Sequence, residues 1–116
     1  MILHAPVPKE VLRRMVEDFF ADMVKYVVDV ERGCSALGGQ LLADAEVALL
    51  GVGSRQEDLW GANYYPGTPS QDCIEYTSLI NIRPAQANPG MELVDPTLRN
   101  RVRDLTFRLI GRGEAL

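Results

Sequence analysis

The sequence has 116 residues, of which 47% are hydrophobic and 24% charged, with a net charge of -4 and a mean hydropathy of -0.06. This length is typical of a single domain, predicted here over residues 1–116, and the composition excludes collagen-like, coiled-coil and disordered chains. No apolar stretch approaches the roughly 18 residues that a membrane span needs.

The first half of the chain predicts a helix followed by a β-hairpin. Pro8 suits the opening turn of a helix, and apolar residues recur at steps of three and four as far as Met23. β-branched residues then favour strands, and Gly38-Gly39 has the form of a two-residue hairpin turn. We predict a helix over 8–23 and strands over 25–37 and 40–50, with a helix over 43–51 as the alternative to the second strand.

The second half predicts two further strands and a closing helix. Apolar residues alternate with polar ones from Ile74 to Ile82, which is typical of a strand. Asp95-Pro96 combines a helix N-cap with a proline at the first helical position. We predict strands over 60–65 and 73–83 and a helix over 96–110.

These elements define the predicted fold class. Short connections between successive strands favour antiparallel pairing, and helices must cover the apolar face of the resulting sheet. The sequence therefore predicts a two-layer α+β domain, in which an antiparallel meander of about four strands carries the N-terminal and C-terminal helices.

Charge is unevenly distributed along the chain. Eight acidic residues against two arginines lie between Asp29 and Glu75, a net of -6, whereas five arginines against three acids follow from Asp95, a net of +2. Such asymmetry can bring two copies together, although two separately solvated surfaces would give the same pattern. The acidic balance argues against a nucleic-acid partner.

Cysteine usage and the N-terminus predict a cytoplasmic protein. Cys34 and Cys73 lack the spacing of a metal site or a redox motif, and the first residues lack the basic and apolar regions of a signal peptide. Two unpaired thiols suit a reducing compartment. We predict neither a bound cofactor nor membrane association.

Four carboxylates form the first candidate site. Folding the chain at Gly38-Gly39 places them on one face of the hairpin, with Glu31 directly opposite Glu46. Like charges in that position are destabilising, so an arginine, a hard metal ion that prefers oxygen ligands or simple solvent exposure should compensate them. The functional interpretation is a metal site or an acid/base pair, and the alternative is a solvated polar sheet face. The candidate metal ligands are Asp29, Glu31, Asp44 and Glu46.

The turn after the predicted fourth strand is the second candidate. An arginine followed by loop amides can hold a carboxylate or a phosphate, or the arginine can pair with nearby acids. The candidate ligand-binding residues are Asn81, Arg83, Gln86 and Asn88.

Aromatic residues of the third predicted strand are the third candidate. Trp60, Tyr64 and Tyr65 could stack a ring ligand, but core packing or a subunit interface, where aromatic residues are enriched, suits them better.

Several segments resemble a family of short bacterial proteins classed as a domain of unknown function. They include Val27-Val28-Asp29-Val30-Glu31-Arg32-Gly33, Gly53-Ser54-Arg55-Gln56-Glu57-Asp58-Leu59-Trp60-Gly61 and Ile80-Asn81-Ile82-Arg83-Pro84. The resemblance covers nearly the whole chain and implies no activity and no catalytic residue.

The function predicted from these observations is a non-enzymatic binding or interaction module that self-associates, as a dimer, with a small-molecule ligand of unknown identity. His4 is the only histidine, and nothing in the sequence forms a nucleophile constellation around it. The alternative is a small metal-dependent enzyme that uses the carboxylate cluster.

Overall fold

The structure is a computed structural model that describes residues 1–20, 22–38 and 42–116. Its strands are β1 (Ile2–Leu3), β2 (Val24–Asp29), β3 (Cys34–Leu37), β4 (Leu59–Tyr64) and β5 (Ile74–Glu75). Its helices are α1 (Lys9–Met15), which continues as a π-helical segment over Val16–Phe20, α2 (Leu42–Gly51) and α3 (Pro96–Leu109). Short 3-10 turns occur at Gln56–Asp58, Leu79–Asn81 and Pro84–Gln86.

The strands form one antiparallel sheet in the order β1-β3-β2-β4-β5. Strand β4 pairs with β2 along its whole length, from Val24↔Tyr64 to Asp29↔Leu59. The predicted α+β class is therefore confirmed. The strand order differs from that of a simple meander, because β4 returns to pair with β2 instead of with β3.

The predicted strand over 25–37 is two strands joined by a tight turn. The Asp29 carboxylate accepts backbone N–H groups of two turn residues at 3.0 and 2.9 Å, and Gly33 adopts a φ of 70° that favours glycine. The hairpin turn thus lies at residues 30–33. Gly39, which belongs to the predicted hairpin turn, lies outside the described residues.

The strand predicted over 40–50 is wrong, and the alternative helix is confirmed as α2. A strand would place Ala45, Val47 and Leu49 on one face. In α2, Ala45 and Leu49 are buried whereas Val47 is 64% exposed, because residues four apart share a helix face and residues two apart do not. The start of the predicted strand, residues 40–41, lies outside the described part of the chain.

The remaining elements differ from their predictions mainly in where they begin and end. Only β5 remains of the strand predicted over 73–83, because the Ser78 hydroxyl accepts the backbone N–H of Ile80 and caps a 3-10 turn. The helix predicted over 8–23 corresponds to α1 and its π-helical continuation, which together span residues 9–20. The predictions over 60–65 and 96–110 match β4 and α3 to within one residue at each end, and Asp95 caps α3 as predicted.

Helices cover both faces of the sheet, so the structure adds a layer to the two that were predicted. Side chains of α1 and α3 pack with Tyr26, Val28 and Trp60 on one face. On the other face, α2 packs with Val27 and Leu59. Within the described ranges, no helix has the length and apolar character that crossing a bilayer requires.

Candidate functional site

The Asp29 carboxylate is a structural group of the β2–β3 turn. It is fully buried, and besides the two turn N–H groups it accepts the Ser54 hydroxyl at 2.6 Å. Three hydrogen bonds satisfy the buried carboxylate and tie the turn to the segment that follows α2.

The other three predicted metal ligands are not gathered around Asp29. Glu31 lies in the β2–β3 turn, and its carboxylate is 3.8 Å from the Arg101 guanidinium. Asp44 is exposed in the first turn of α2, and Glu46 is half-buried in the same helix. The predicted opposition of Glu31 and Glu46 is wrong, since α2 replaces the strand that would have created it. Among the described residues, no group of three or more His, Cys, Asp or Glu side chains could hold a metal ion.

Arg83 and Gln86 of the second candidate bind backbone carbonyls of the chain itself. The Arg83 guanidinium donates to the carbonyls of Gln56 and Leu59 and lies 3.7 Å above the centre of the Trp60 ring. The Gln86 side-chain amide donates at 2.9 Å to the backbone carbonyl of Glu57, which lies in the same 3-10 turn as Gln56. Burial lowers the pKa of Arg83, with nearby acidic groups acting in the opposite direction. These contacts fasten the 84–86 turn to the start of β4.

Asn81 and Asn88 are buried and fully engaged in backbone contacts. The Asn81 side chain accepts the N–H of Gly61 at 2.8 Å and donates to the carbonyl of the same residue at 3.0 Å, so it continues the pairing of β4 beyond β5. The Asn88 amide donates to three carbonyls and its oxygen accepts the N–H of Val94 at 3.1 Å. Both side chains hold the 78–94 loop in shape.

Two of the three predicted interface aromatics lie in the core of the chain. Trp60 and Tyr64 are each 1% exposed, and the Tyr64 hydroxyl accepts the N–H of Gly113 at 2.8 Å. Tyr65 is half-buried and its hydroxyl contacts the Glu75 carboxylate at 3.3 Å. Of the three, only Tyr65 presents surface to solvent.

A groove that the sequence reasoning missed lies between α3 and the segment from Ser70 to Tyr76. Its volume is about 510 Å³. We call it the arginine groove, and its lining combines apolar or aromatic side chains, amides, a hydroxyl and two guanidinium groups: Ser70, Gln71, Ile74, Tyr76, Arg99, Asn100, Arg103 and Phe107.

The two guanidinium groups of the groove are only partly used by the protein. Arg99 stacks over Tyr76 with 4.1 Å between its guanidinium carbon and the ring centre, and its Nη1 donates to Leu93 and Glu92 at 2.9 and 3.3 Å. Arg103 pairs with the adjacent Asp104 at 3.1 Å. Neither the Arg99 Nε and Nη2 atoms nor the Arg103 Nη1 atom makes a hydrogen bond to the described residues.

The electrostatics of the groove favour an anion. Among the described residues no carboxylate lines it, although Glu92 and Asp104 each pair with one of its arginines and the chain as a whole carries a charge of -4. Burial raises the pKa of Tyr76, and the charges of Arg99 and Arg103 act in the opposite direction. The phenol is therefore uncharged near neutral pH, and the two arginines are the charged side chains among the described residues that line the groove.

The arrangement can hold an anionic group beside an apolar or planar body. Arginine matches the geometry of carboxylates and phosphates, and aromatic side chains supply a surface on which a ring can stack. One signal in the sequence could have indicated half of this site: Arg99, Arg103 and Phe107 follow one another at steps of four, which places them on one helix face. The facing wall at residues 70–76 is brought there only by tertiary packing.

The fold and the groove define a class: a small α+β domain with an antiparallel sheet between helices and a cationic, aromatic-lined groove along its last helix. Within that class, the chain belongs to the family described as Protein of unknown function (DUF5674), whose model matches residues 1–109. The resemblance to a domain of unknown function is thereby confirmed, and every residue that lines the groove lies in the matched range. No curated protein and no solved structure matches the chain.

Proposed function

We propose that this protein is a non-enzymatic binding module whose ligand is a small organic anion held in the arginine groove. The observation that carries the proposal is that two guanidinium groups lie beside aromatic side chains in a groove whose described lining contains no carboxylate. Arg99 and Arg103 bind the anionic group, and Tyr76, Ile74 and Phe107 contact the apolar body.

Phenyl phosphate is a suitable first probe, because it joins a phosphate to a ring. Arg103 is the better residue to vary, since the chain uses it only in a pair with its exposed neighbour, whereas Arg99 also supports Tyr76 and a backbone carbonyl. Arg103→Gln should weaken binding about tenfold, the loss expected for one charge-assisted hydrogen bond. Isothermal titration calorimetry at two salt concentrations measures this, and binding should weaken with salt because exposed charges are screened.

The matched control is Arg14→Gln, which removes the same charge from an exposed position on α1. It should bind phenyl phosphate as the unmodified protein does. Equal affinity for phenol and phenyl phosphate, or an unchanged affinity in Arg103→Gln, would contradict the proposal. Inorganic phosphate should bind more weakly than phenyl phosphate, because it leaves the aromatic side chains uncovered.

We also propose that the module forms a dimer, and a second observation favours this. Exposed apolar side chains occur together on α2 and the neighbouring loop, with exposed fractions of 64% for Val47, 39% for Leu50, 71% for Leu79 and 44% for Ile82. The two segments adjoin, because Ile80 packs against the cluster that contains Leu49. Exposed apolar side chains on two adjoining segments are typical of an interface, and a second copy of the same chain can bury them symmetrically.

Sedimentation velocity over a concentration series tests the dimer. Val47→Glu and Leu79→Glu should each shift the protein to monomer, whereas Thr97→Glu, at an exposed site on α3, should leave the dimer intact. A monomer at every concentration in the unmodified protein would rule out the dimer.

We propose the bacterial cytoplasm as the location of this module. Both cysteines are free and buried, which supports a reducing compartment, and the bacterial source rests on the family resemblance. Labelling of both thiols in protein unfolded directly from lysed cells should reach two per chain; a labelled fraction near zero before reduction would contradict the location.

A further inference from the structure

A second cavity lies between the start of α1 and the segment that follows α3. Its volume is about 210 Å³, larger than an engineered apolar cavity of ~150 Å³ that binds benzene. Its walls are mainly apolar and include Val7, Leu12, Ile110 and Leu116. It shares no lining residue with the arginine groove. A branched aliphatic side chain is of the right size and polarity to fill it.

Two opposite charges complete the lining of this cavity, Lys9 from α1 and Glu114 from the C-terminal segment. Both residues are exposed. Lys9 makes no ion pair within 4.0 Å among the described residues, so its ammonium group is available. Glu114 accepts the backbone N–H of Arg112 through Oε1 at 2.7 Å, which leaves Oε2 for another donor.

The surroundings of Glu114 favour its charged form. The N–H of Arg112 is the main cause that lowers the pKa of this carboxyl, and the nearby Lys9 ammonium adds to the effect. Both residues line the same cavity, so the two charges are placed to act on one bound molecule. Near neutral pH the mouth of the cavity therefore presents one positive and one negative charge.

The C-terminal segment is held in place by several backbone contacts. Gly113 donates its N–H to the Tyr64 hydroxyl at 2.8 Å, and its carbonyl accepts the N–H groups of Gly67 and Thr68 at 2.9 and 3.1 Å. Gly113 has a φ of 91°, which favours glycine at this position. A site whose walls are fixed before the ligand arrives loses less entropy on binding.

We propose that this cavity binds a free apolar α-amino acid, with leucine as the representative. The ligand carboxylate pairs with Lys9, the ligand ammonium pairs with Glu114, and the aliphatic side chain fills the cavity between Leu12 and Ile110. An aliphatic acid would satisfy Lys9 but face the charge of Glu114. An aliphatic amine would pair with Glu114 but face the positive charge of Lys9. Only a zwitterion therefore complements both charges.

The unmodified protein tests this proposal with three probes of nearly equal aliphatic bulk. L-leucine carries both charges, 4-methylpentanoate lacks the ammonium group and 3-methylbutylamine lacks the carboxylate. Isothermal titration calorimetry should show leucine binding about tenfold more tightly than either analogue, the difference that one charge-assisted hydrogen bond gives. Glycine, which has both charges and no side chain, should bind too weakly to detect.

Two charge-removing variants assign the contacts. Lys9→Gln should reduce the affinity for leucine about tenfold and leave the affinity for 3-methylbutylamine unchanged or raised. Glu114→Gln should also reduce the affinity for leucine about tenfold, and it should raise the affinity for 4-methylpentanoate. Its side-chain oxygen can still accept the N–H of Arg112. The matched control is Lys25→Gln, which removes the only other lysine of the chain from a strand position away from the cavity.

The proposal is overturned if leucine shows no binding at millimolar concentrations, or if the acid or the amine binds as tightly as leucine. It is also overturned if both variants bind leucine as the unmodified protein does. Because the three-probe comparison needs no variant, it decides the matter even if a substitution disturbs the fold.

Discussion

Removing the Thr106 hydroxyl should destabilise the protein more than removing the Tyr26 hydroxyl to which it is bonded. The two oxygens lie 2.6 Å apart in the core. Thr106 also donates to the carbonyl of Val102 at 2.7 Å, and a threonine hydroxyl has only one hydrogen to give. Tyr26 must therefore be the donor of the bond between them. Burial raises the pKa of Tyr26 well above its ordinary value, so this donor keeps its proton.

The asymmetry of that bond sets the expected magnitudes. Thr106→Val leaves the fully buried Tyr26 hydroxyl without an acceptor, which costs about 2 kcal/mol of unfolding free energy. Tyr26→Phe removes the donor but leaves Thr106 bonded to its carbonyl, so it costs only about 1 kcal/mol. The double variant leaves neither group unpaired, and its cost should be about 1 kcal/mol, well below the sum of the single effects.

Urea unfolding followed by tryptophan fluorescence measures these differences, because Trp60 is the single tryptophan of the chain and is 1% exposed. Tyr65→Phe is the matched control: its hydroxyl is at the surface, and its loss should cost less than about 0.5 kcal/mol. A Thr106→Val variant more stable than Tyr26→Phe, or a double variant whose cost equals the sum, would refute the assigned direction of the bond.

Three further predictions concern the loop and core contacts described above. Asn81→Leu should lose about 2–4 kcal/mol, because it leaves both backbone groups of Gly61 without their buried partner; Asn100→Leu, at an exposed position, should lose less than about 0.5 kcal/mol in the same urea assay. Gly61→Ala should lose about 1–3 kcal/mol, since its new methyl group would lie 2.5 Å from a serine hydroxyl oxygen, whereas Gly90→Ala meets no atom within 4 Å and should be neutral; equal effects of the two substitutions would contradict the packing. Burial raises the pKa of Tyr64 to about 12 from about 10 in the unfolded chain, so the stabilisation from this group is complete below pH 10 and is lost as the pH rises towards 12. The urea midpoint should fall over that interval and fall less steeply in Tyr64→Phe, and a midpoint that stays constant from pH 10 to 12 would contradict this.

The sequence predicts best those elements whose signals are local. Helix α3 begins at its predicted N-cap because Asp95 bonds the N–H of Thr97, a contact within three residues. Strand β4 likewise lies where aromatic and apolar residues cluster. The sequence favours a strand over helix α2 because Ala43, Ala45 and Val47 alternate with two acidic residues. Only the position of α2 over Val27 and Leu59 decides which of its apolar residues are buried.

The predicted sites failed because polar side chains that hold loops share their residue types with those that bind ligands. Asp29 has the chemistry of a metal ligand and Arg83 that of an anion clamp, yet both bind groups of the chain itself. Asn81 replaces a missing strand partner of Gly61. Each of these partners is at least two residues away and most are 20 or more residues away, so only the folded chain shows that these groups are already satisfied.

The arginines of α3 also divide into those that hold the fold and those that are available to a ligand. These two uses account for the excess positive charge of the helix. Arg101 and Arg108, seven residues and about two turns apart, donate to the carbonyls of Val30 and Gly33 and thereby hold the β2–β3 turn. Arg99 and Arg103 lie on a different face, where the arginine groove opens. One helix thus stabilises the sheet with one pair of guanidinium groups and directs another pair to the arginine groove. Loss of Arg101 or Arg108 should therefore lower stability and spare anion binding, and loss of Arg103 should do the reverse.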